Sequence, residues 1–417
     1  MSAAAKKGAD RRRSAFRIRA GSLKAALGDI AQVVAAKNTI PICSMVLVQA
    51  GDGVLTLAAT NLDIWATRDL ATDDREPNSE DWRGSIRAFA VCVPAKPLLG
   101  ILGEVDADAM VTIEAMEEAS ATVGGPVKVT AGRSRWTLKG LPSAEFPMAA
   151  PADWPTEFNM KATALADAFA AIDHAISSEE TRYYLNGIYL HPVSEGGALD
   201  LRLAATDGHR LARLAIDAPE GSLGAPNVIV PRQVVAVLAK ELGRVPEDGD
   251  VGVSMGSEGK LLLFTLPMPD ANDFGATLVI QAKAIDGTFP DYTRVIPDAP
   301  PNRLTVNREA LLGALRRVAV LADGKSRAVK IEADEDRLTL SATSIELGEA
   351  CEDVPCVYGG PAITWGFDGR YFRDALGAVA SDDVRLMLST ADGPVRIEGV
   401  NGEDEARLVQ VLMPIRV

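Results

Sequence analysis

Three stretches of this 417-residue chain repeat one pattern in the same order, and a long internal repeat constrains a fold more than any local motif does. Leu23, Leu27, Ile30 and Val34 fall at i, i+4, i+7 and i+11, the spacing of one apolar stripe on an α-helix. Leu165, Phe169, Ile172 and Ile176 repeat those offsets, and Leu311, Leu315, Val318 and, more weakly, Ala322 do so again. Seven residues before each stripe, Phe16, Phe158 and Leu304 open an alternating, strand-like stretch, with Ser22, Thr163 and Asn307 as candidate N-caps. Downstream, each copy has an alternating strand closing at Thr60, Thr206 or Thr343. A strand and a second helix follow near Pro94, Pro231 and Asp368, with proline suited to a first helical turn because it lacks the donor that is orphaned there.

Proline-rich segments separate the copies: LPSAEFPMAAPADWP carries Pro142, Pro147, Pro151 and Pro155, and DGTFPDYTRVIPDAPP carries Pro290, Pro297, Pro300 and Pro301. Two such linkers divide the chain into three domains, expected at 16–150, 151–300 and 301–417. Each is strand, helix, strands, helix, strands, which is α+β with two helices packed on antiparallel sheet. Residues 1–15 read as a flexible basic tail, since Lys6, Lys7, Arg11, Arg12 and Arg13 face one acid, Asp10.

Charge and cysteine usage narrow the function. With 57 acidic and 43 basic side chains the formal charge is −14, which argues against a protein that coats nucleic acid tightly. Aromatic residues are only 5%, too few for an array of base-stacking platforms. No apolar run reaches the roughly 18 residues of a spanning helix, and no apolar h-region follows the basic MSAAAKKGADRRRS, so an unexported protein is expected. Cys43, Cys92, Cys351 and Cys356 form neither a disulfide framework nor a C-x-x-C pair, so a reducing cytoplasm is the expected compartment.

The chain also lacks the constellations of an enzyme. H-E-x-x-H, G-x-S-x-G and a helix-opening G-x-G-x-x-G are absent, and Gly324, Lys325 and Ser326 have no phosphate-cradling loop before them. No catalytic residue, metal or cofactor is therefore expected. Two segments stand out instead. In ETRYYLNG, Tyr183 and Tyr184 cannot both face the core if a strand begins there. In ATDGHRLARL, an Asp-Gly turn follows a strand, and His209 would be held by local hydrogen bonds. Basic residues cluster near the helices: Lys24, Lys37, Arg182, Arg232, Lys240, Arg308, Arg316, Arg317, Lys325 and Arg327. Solvated helix faces are the ordinary explanation, although cations so placed could hold a duplex by its phosphates.

KNTIPI from Lys37, GRSRW from Gly132, RYYLNG from Arg182, TDGHRLA from Thr206, FPDY from Phe289 and the terminal MPIRV from Met413 occur in colinear order. Together they resemble the bacterial replicative sliding clamp, the beta subunit of DNA polymerase III, from about residue 16 to the end. The resemblance implies three clamp domains per chain and a head-to-tail homodimer closed as a ring around duplex DNA, with helices lining the hole and sheets outside. It implies a non-catalytic processivity factor that tethers the DNA polymerase III alpha subunit, the clamp loader and other proteins with a clamp-binding motif. Their peptides would enter a cleft walled by Leu185, Thr206, Gly208, His209, Arg210, Leu211, Pro290, Arg294, Val295, Val411, Met413, Pro414, Ile415, Arg416 and Val417. DNA contacts would come from Lys37, Arg182, Tyr183, Tyr184, Arg316 and Arg317. Ring closure would bring Trp136 and Leu138 against Val320 and Leu321 of a second copy. The basic tail, the acidic stretch around 71–84, Ser326 and Pro394 depart from the family pattern and leave open a specialised clamp or a clamp-fold scaffold never loaded on DNA.

Overall fold

The computed structural model describes residues 14–34, 40–51, 54–71, 89–115, 122–195, 198–269, 276–298, 301–322, 327–400 and 407–416. Lys37, Lys325, Ser326, Val417, the tail up to Arg13 and the acidic stretch beyond Ala71 lie outside them. Ser14 and Ala15, expected in the flexible stretch, instead pair with Ala115 and Glu114 in a strand.

Among the described residues there are six α-helices, two per repeat: α1 (Ala20–Ala31), α2 (Ala95–Gly103), α3 (Ala162–Ala170), α4 (Arg232–Leu242), α5 (Arg308–Val318) and α6 (Gly369–Gly377). The repeated stripe does what its spacing predicts. Leu23, Leu27 and Ile30 of α1 and Leu311, Leu315 and Val318 of α5 are buried, each contributing about 1.5–3 kcal/mol by leaving water. Strands follow the period of two, as in Thr156–Lys161 and Leu261–Pro267, where burial alternates residue by residue.

Helix ends are where periodicity over-reaches. Val34, Ile172, Ile176 and Ala322 continue the stripes but lie beyond the helices, and Ile172 and Ile176 are still buried because a 3-10 turn at Asp173–Ala175 carries them into the core. Asn307 caps α5 by accepting from Ala310 N at 3.0 Å, but Ser22 and Thr163 sit inside their helices and cap nothing. In α1 the loop carbonyls of Ala109 and Ala107 take the Ala20 and Gly21 donors, so no side chain is needed there. Pro94 and Pro231 end their strands immediately before the helices, one position earlier than expected.

The chain forms two compact units. One spans Met1–Asp153, Lys240–Ser254 and Leu261–Lys283; the other spans Trp154–Ala239, Met255–Lys260 and Ala284–Val417. Three repeats give two units because strands of different repeats pair with each other. In the first unit, Ile64–Ala71 of the first repeat pairs antiparallel with Thr277–Lys283 of the second, Ala66 opposite Ile280. That unit also holds a four-stranded sheet ordered Ser14–Arg19, Met110–Ala115, Gly125–Ala131, Ser134–Gly140, with the last strand at an edge. In the second unit, Arg210–Asp217 of the second repeat pairs with Leu408–Leu412 of the third, Leu211 opposite Val411. This pairing lies within a sheet of twelve strands and sets the end of the chain beside TDGHRLA.

Candidate functional site: a cleft at the end of the chain

The second unit assembles the cleft from one turn, one helix and the terminal segment. Thr206 Oγ1 accepts from Gly208 N at 3.1 Å and donates to Arg210 O at 2.7 Å. Asp207 Oδ1 accepts from His209 N at 2.9 Å and Arg210 N at 3.0 Å, the local bonding expected of an Asp-Gly turn. Gly208 has φ +88°, a conformation that favours glycine, and the Arg182 guanidinium lies against it, Nη1 2.5 Å from where a Cβ would sit. Met413 N donates to His209 O at 2.9 Å and Ile415 N to Gly366 O at 2.8 Å, which lays the terminal segment along the same wall.

A cavity of about 210 Å³ results, lined by His209, Phe367, Asp368, Tyr371, Leu412, Met413, Pro414 and Ile415. A larger, polar cavity of about 610 Å³ shares His209 and Tyr371 with it and is also lined by Asp173, His174, Asp207 and Arg210. Leu185, Leu211 and Val411 are buried in one core cluster with Ala204, Ile229, Phe289 and Tyr292 and line neither cavity. Met413, 44% exposed, and Val295, 49% exposed, present apolar surface, and Pro290 and Arg416 are exposed too. Arg294 is held by Asp291 at 3.0 Å. Pro394 lines neither cavity.

The sequence reading missed the part contributed by α6. Asp368 caps that helix by accepting from Arg370 N at 2.9 Å, and Tyr371 and Asp374 follow at i, i+3 spacing on one side of it. Arg210 reaches across to both, with Nη1 3.0 Å from Asp374 Oδ2 and its guanidinium carbon 4.1 Å from the Tyr371 ring centroid. In GRYFRDAL, the only signal was an amphipathic helix pattern, apolar Phe372, Ala375 and Leu376 on one face and Tyr371 and Asp374 beside it.

Of the residues expected at the duplex and at ring closure, Arg182 lies against the Gly208 turn. Arg182 is fastened by Glu179 at 2.9 and 2.8 Å, and the same bond holds the Glu179 carboxyl below its ordinary range. ETRYYLNG is a 3-10 segment, Glu180–Leu185, and the strand begins only at Gly187; Tyr183 is exposed while Tyr184 packs on the buried cluster. On α5, Arg316 is exposed and Arg317 binds Glu352 at 2.9 Å. Trp136 and Leu138, both half-buried, share one face of the edge strand Ser134–Gly140 in the first unit. In the second unit, Val320 is 73% exposed and Leu321 half-buried in the 3-10 turn after α5. Among the described residues no group of three His, Cys, Asp or Glu could hold a metal, and no helix is long and apolar enough to cross a membrane.

His174, on the larger cavity, gives a pH test. Burial and then the nearby Arg210 charge push it from 6.5 down to about 4. Between those values the unfolded chain binds a proton that the folded chain refuses, so stability falls as pH drops through that window. The full loss is on the order of 3 kcal/mol. Asp173 is raised by burial and works in the opposite sense, so the variant must be compared with wild type. Replacing His174→Gln is expected to flatten the decline in urea-unfolding free energy between pH 6.5 and 4; parallel curves would remove this assignment.

Three tandem α+β repeats, sheets continuous across repeat boundaries and a small cleft built on the chain's last residues define a protein of the DNA-clamp class. Models of the DNA polymerase III beta subunit match in tandem: the N-terminal domain at 14–150, the central domain at 159–291 and the C-terminal domain at 293–416. The beta sliding clamp of Caulobacter vibrioides is 36% identical over 399 residues, covering 96% of this chain and 98% of that protein. The sliding clamp of Bartonella birtlesii, solved bound to griselimycin, has a TM-score of 0.86 at 33% identity over 97% of this chain and 100% of its own. The Pseudomonas aeruginosa clamp, also bound to griselimycin, has a TM-score of 0.83 at 29% identity, covering 97% and 99%. The chain belongs to the DNA polymerase III beta subunit family and is a DNA sliding clamp.

Proposed function

We propose that two copies of this chain close head to tail into a ring around duplex DNA, so that it acts in the cytoplasm as a non-catalytic processivity factor. Each copy contributes three clamp domains, 14–150, 151–300 and 301–417. Encirclement is topological and needs no tight binding, which reconciles a net charge of −14 with a DNA partner. Lys37, Arg182, Tyr183, Tyr184, Arg316 and Arg317 would touch the duplex without reading its sequence.

The cleft would receive short peptides from the DNA polymerase III alpha subunit, the clamp loader and other proteins carrying a clamp-binding motif. Its walls would be Leu185, Thr206, Gly208, His209, Arg210, Leu211, Pro290, Arg294, Val295, Val411, Met413, Pro414, Ile415, Arg416 and Val417. The observation that carries this reading is the pairing of Leu211 with Val411, which joins the TDGHRLA turn to the terminal segment beside a buried apolar cluster. A concave apolar site with a few polar fixings suits anchor-based capture of peptides. Griselimycin, bound by the Bartonella clamp, would enter the same cleft here.

Loaded by a clamp loader onto nicked circular DNA, the protein is expected to remain through a high-salt gel-filtration column and to run off when a restriction enzyme linearises the circle. Equal loss from circular and linear DNA would end the ring reading.

A further inference from the structure

We infer that Asp374 is a positioning residue for the cleft, setting its affinity for peptide ligands through Arg210 and Tyr371. The inference rests on the cleft reading above and goes beyond it, because Asp374 lines neither of the two cavities. Arg210 is nearly buried, its side chain 11% exposed, and it is held from two sides. Nε lies 3.0 Å from Asp207 Oδ2 on the turn, and Nη1 lies 3.0 Å from Asp374 Oδ2 on α6. Its plane is thereby kept over the Tyr371 ring, against which His209 also stacks with centroids 6.4 Å apart.

Tyr371 and His209 are the two residues shared by the small and large cavities, so their ring positions set the shape of the wall between Met413 and the polar side. A guanidinium with a single carboxylate partner can swing about that bond. With two partners on different elements it is fixed, and the aromatic faces it covers are fixed with it. The Asp374 carboxylate thus acts at second hand: it contributes no surface to the ligand and removes the freedom of the groups that do, which lowers the ordering cost of binding.

The test uses the full chain and griselimycin as probe, with affinity read by calorimetry. Asp374→Asn keeps the size and loses the charge, and it is expected to weaken griselimycin about tenfold, the scale of one charge-assisted hydrogen bond. Asp374→Glu is expected to recover most of that loss. In an Arg210→Gln background, Asp374→Asn is expected to have no further effect, which a role confined to the stability of α6 would not produce. An Asp374→Asn protein that binds as wild type does, or that loses the same factor in both backgrounds, overturns the inference while leaving the cleft intact. If Arg210→Gln does not fold, failure of Asp374→Glu to recover affinity overturns it instead. A wild-type protein that does not bind griselimycin overturns the cleft reading, and the inference with it.

Discussion

Leu321→Asp is expected to convert the protein from a species of twice 44.0 kDa to one of 44.0 kDa in light scattering at micromolar concentration. The proposed contact sets Val320 and Leu321 of one copy against Trp136 and Leu138 of the other. Val320 at 73% exposure is an apolar side chain that the isolated chain leaves in water. Trp136 and Leu138 share a face of Ser134–Gly140, an edge strand whose backbone groups await a neighbour. An aspartate at 321 would give up about 1.5–3 kcal/mol of apolar burial and add the desolvation of a charge. In a head-to-tail ring of two, each closing contact occurs twice, so a loss of about 3 kcal/mol becomes about 6 kcal/mol. That is roughly four orders of magnitude in the dissociation constant. Retention on circular DNA should vanish together with the dimer. Trp136→Glu attacks the same contact from the other side and should give the same mass; a dimer that survives both changes refutes this placement of the interface.

The parts of this fold that were legible before any coordinates are those written locally. Stripes such as Leu311, Leu315 and Val318 and alternating strands such as Leu261–Pro267 need only their own neighbours to declare themselves. Helix ends failed because Ile172 and Ile176 remain core residues after the helix has stopped, so apolarity persisted where hydrogen bonding had changed. Pairing between repeats, as of Ala66 with Ile280, joins residues more than two hundred positions apart, and no local pattern specifies it. At the cleft, TDGHRLA was conspicuous because its turn chemistry is compact. Tyr371 and Asp374 were not, since a tyrosine and an acid on an amphipathic helix look like any half-exposed face until Arg210 is seen to reach them.

Charges were the least legible of all, and the first unit holds the clearest case. Asp29 on α1 is 1% exposed, Arg68 on the strand Ile64–Ala71 is 3% exposed, and Arg68 Nε lies 3.1 Å from Asp29 Oδ2. Arg244 binds the other Asp29 oxygen and reaches Glu241 at 2.7 Å, while Gln32 donates to the remaining Glu241 oxygen. Glu241 is fully buried, and its carboxyl is pushed up first by burial and then by Asp29. The network joins α1 and a strand of the first repeat to Glu241 in the last turn of α4 and Arg244 just beyond it in the second, so it ties the unit together across a repeat boundary. Such groups stabilise little as a set, because desolvation offsets most of their attraction; removing one leaves the others buried without compensation. Asp29→Ala strips Arg68 of its carboxylate and is expected to cost about 3–5 kcal/mol, read as a fall in the midpoint of the first thermal transition. The double change Asp29→Leu with Arg68→Met removes both charges at similar volume and should recover most of that loss. If Asp29→Ala melts within about 1 kcal/mol of wild type, or if the double variant melts below it, the network is not an interdependent buried charge set.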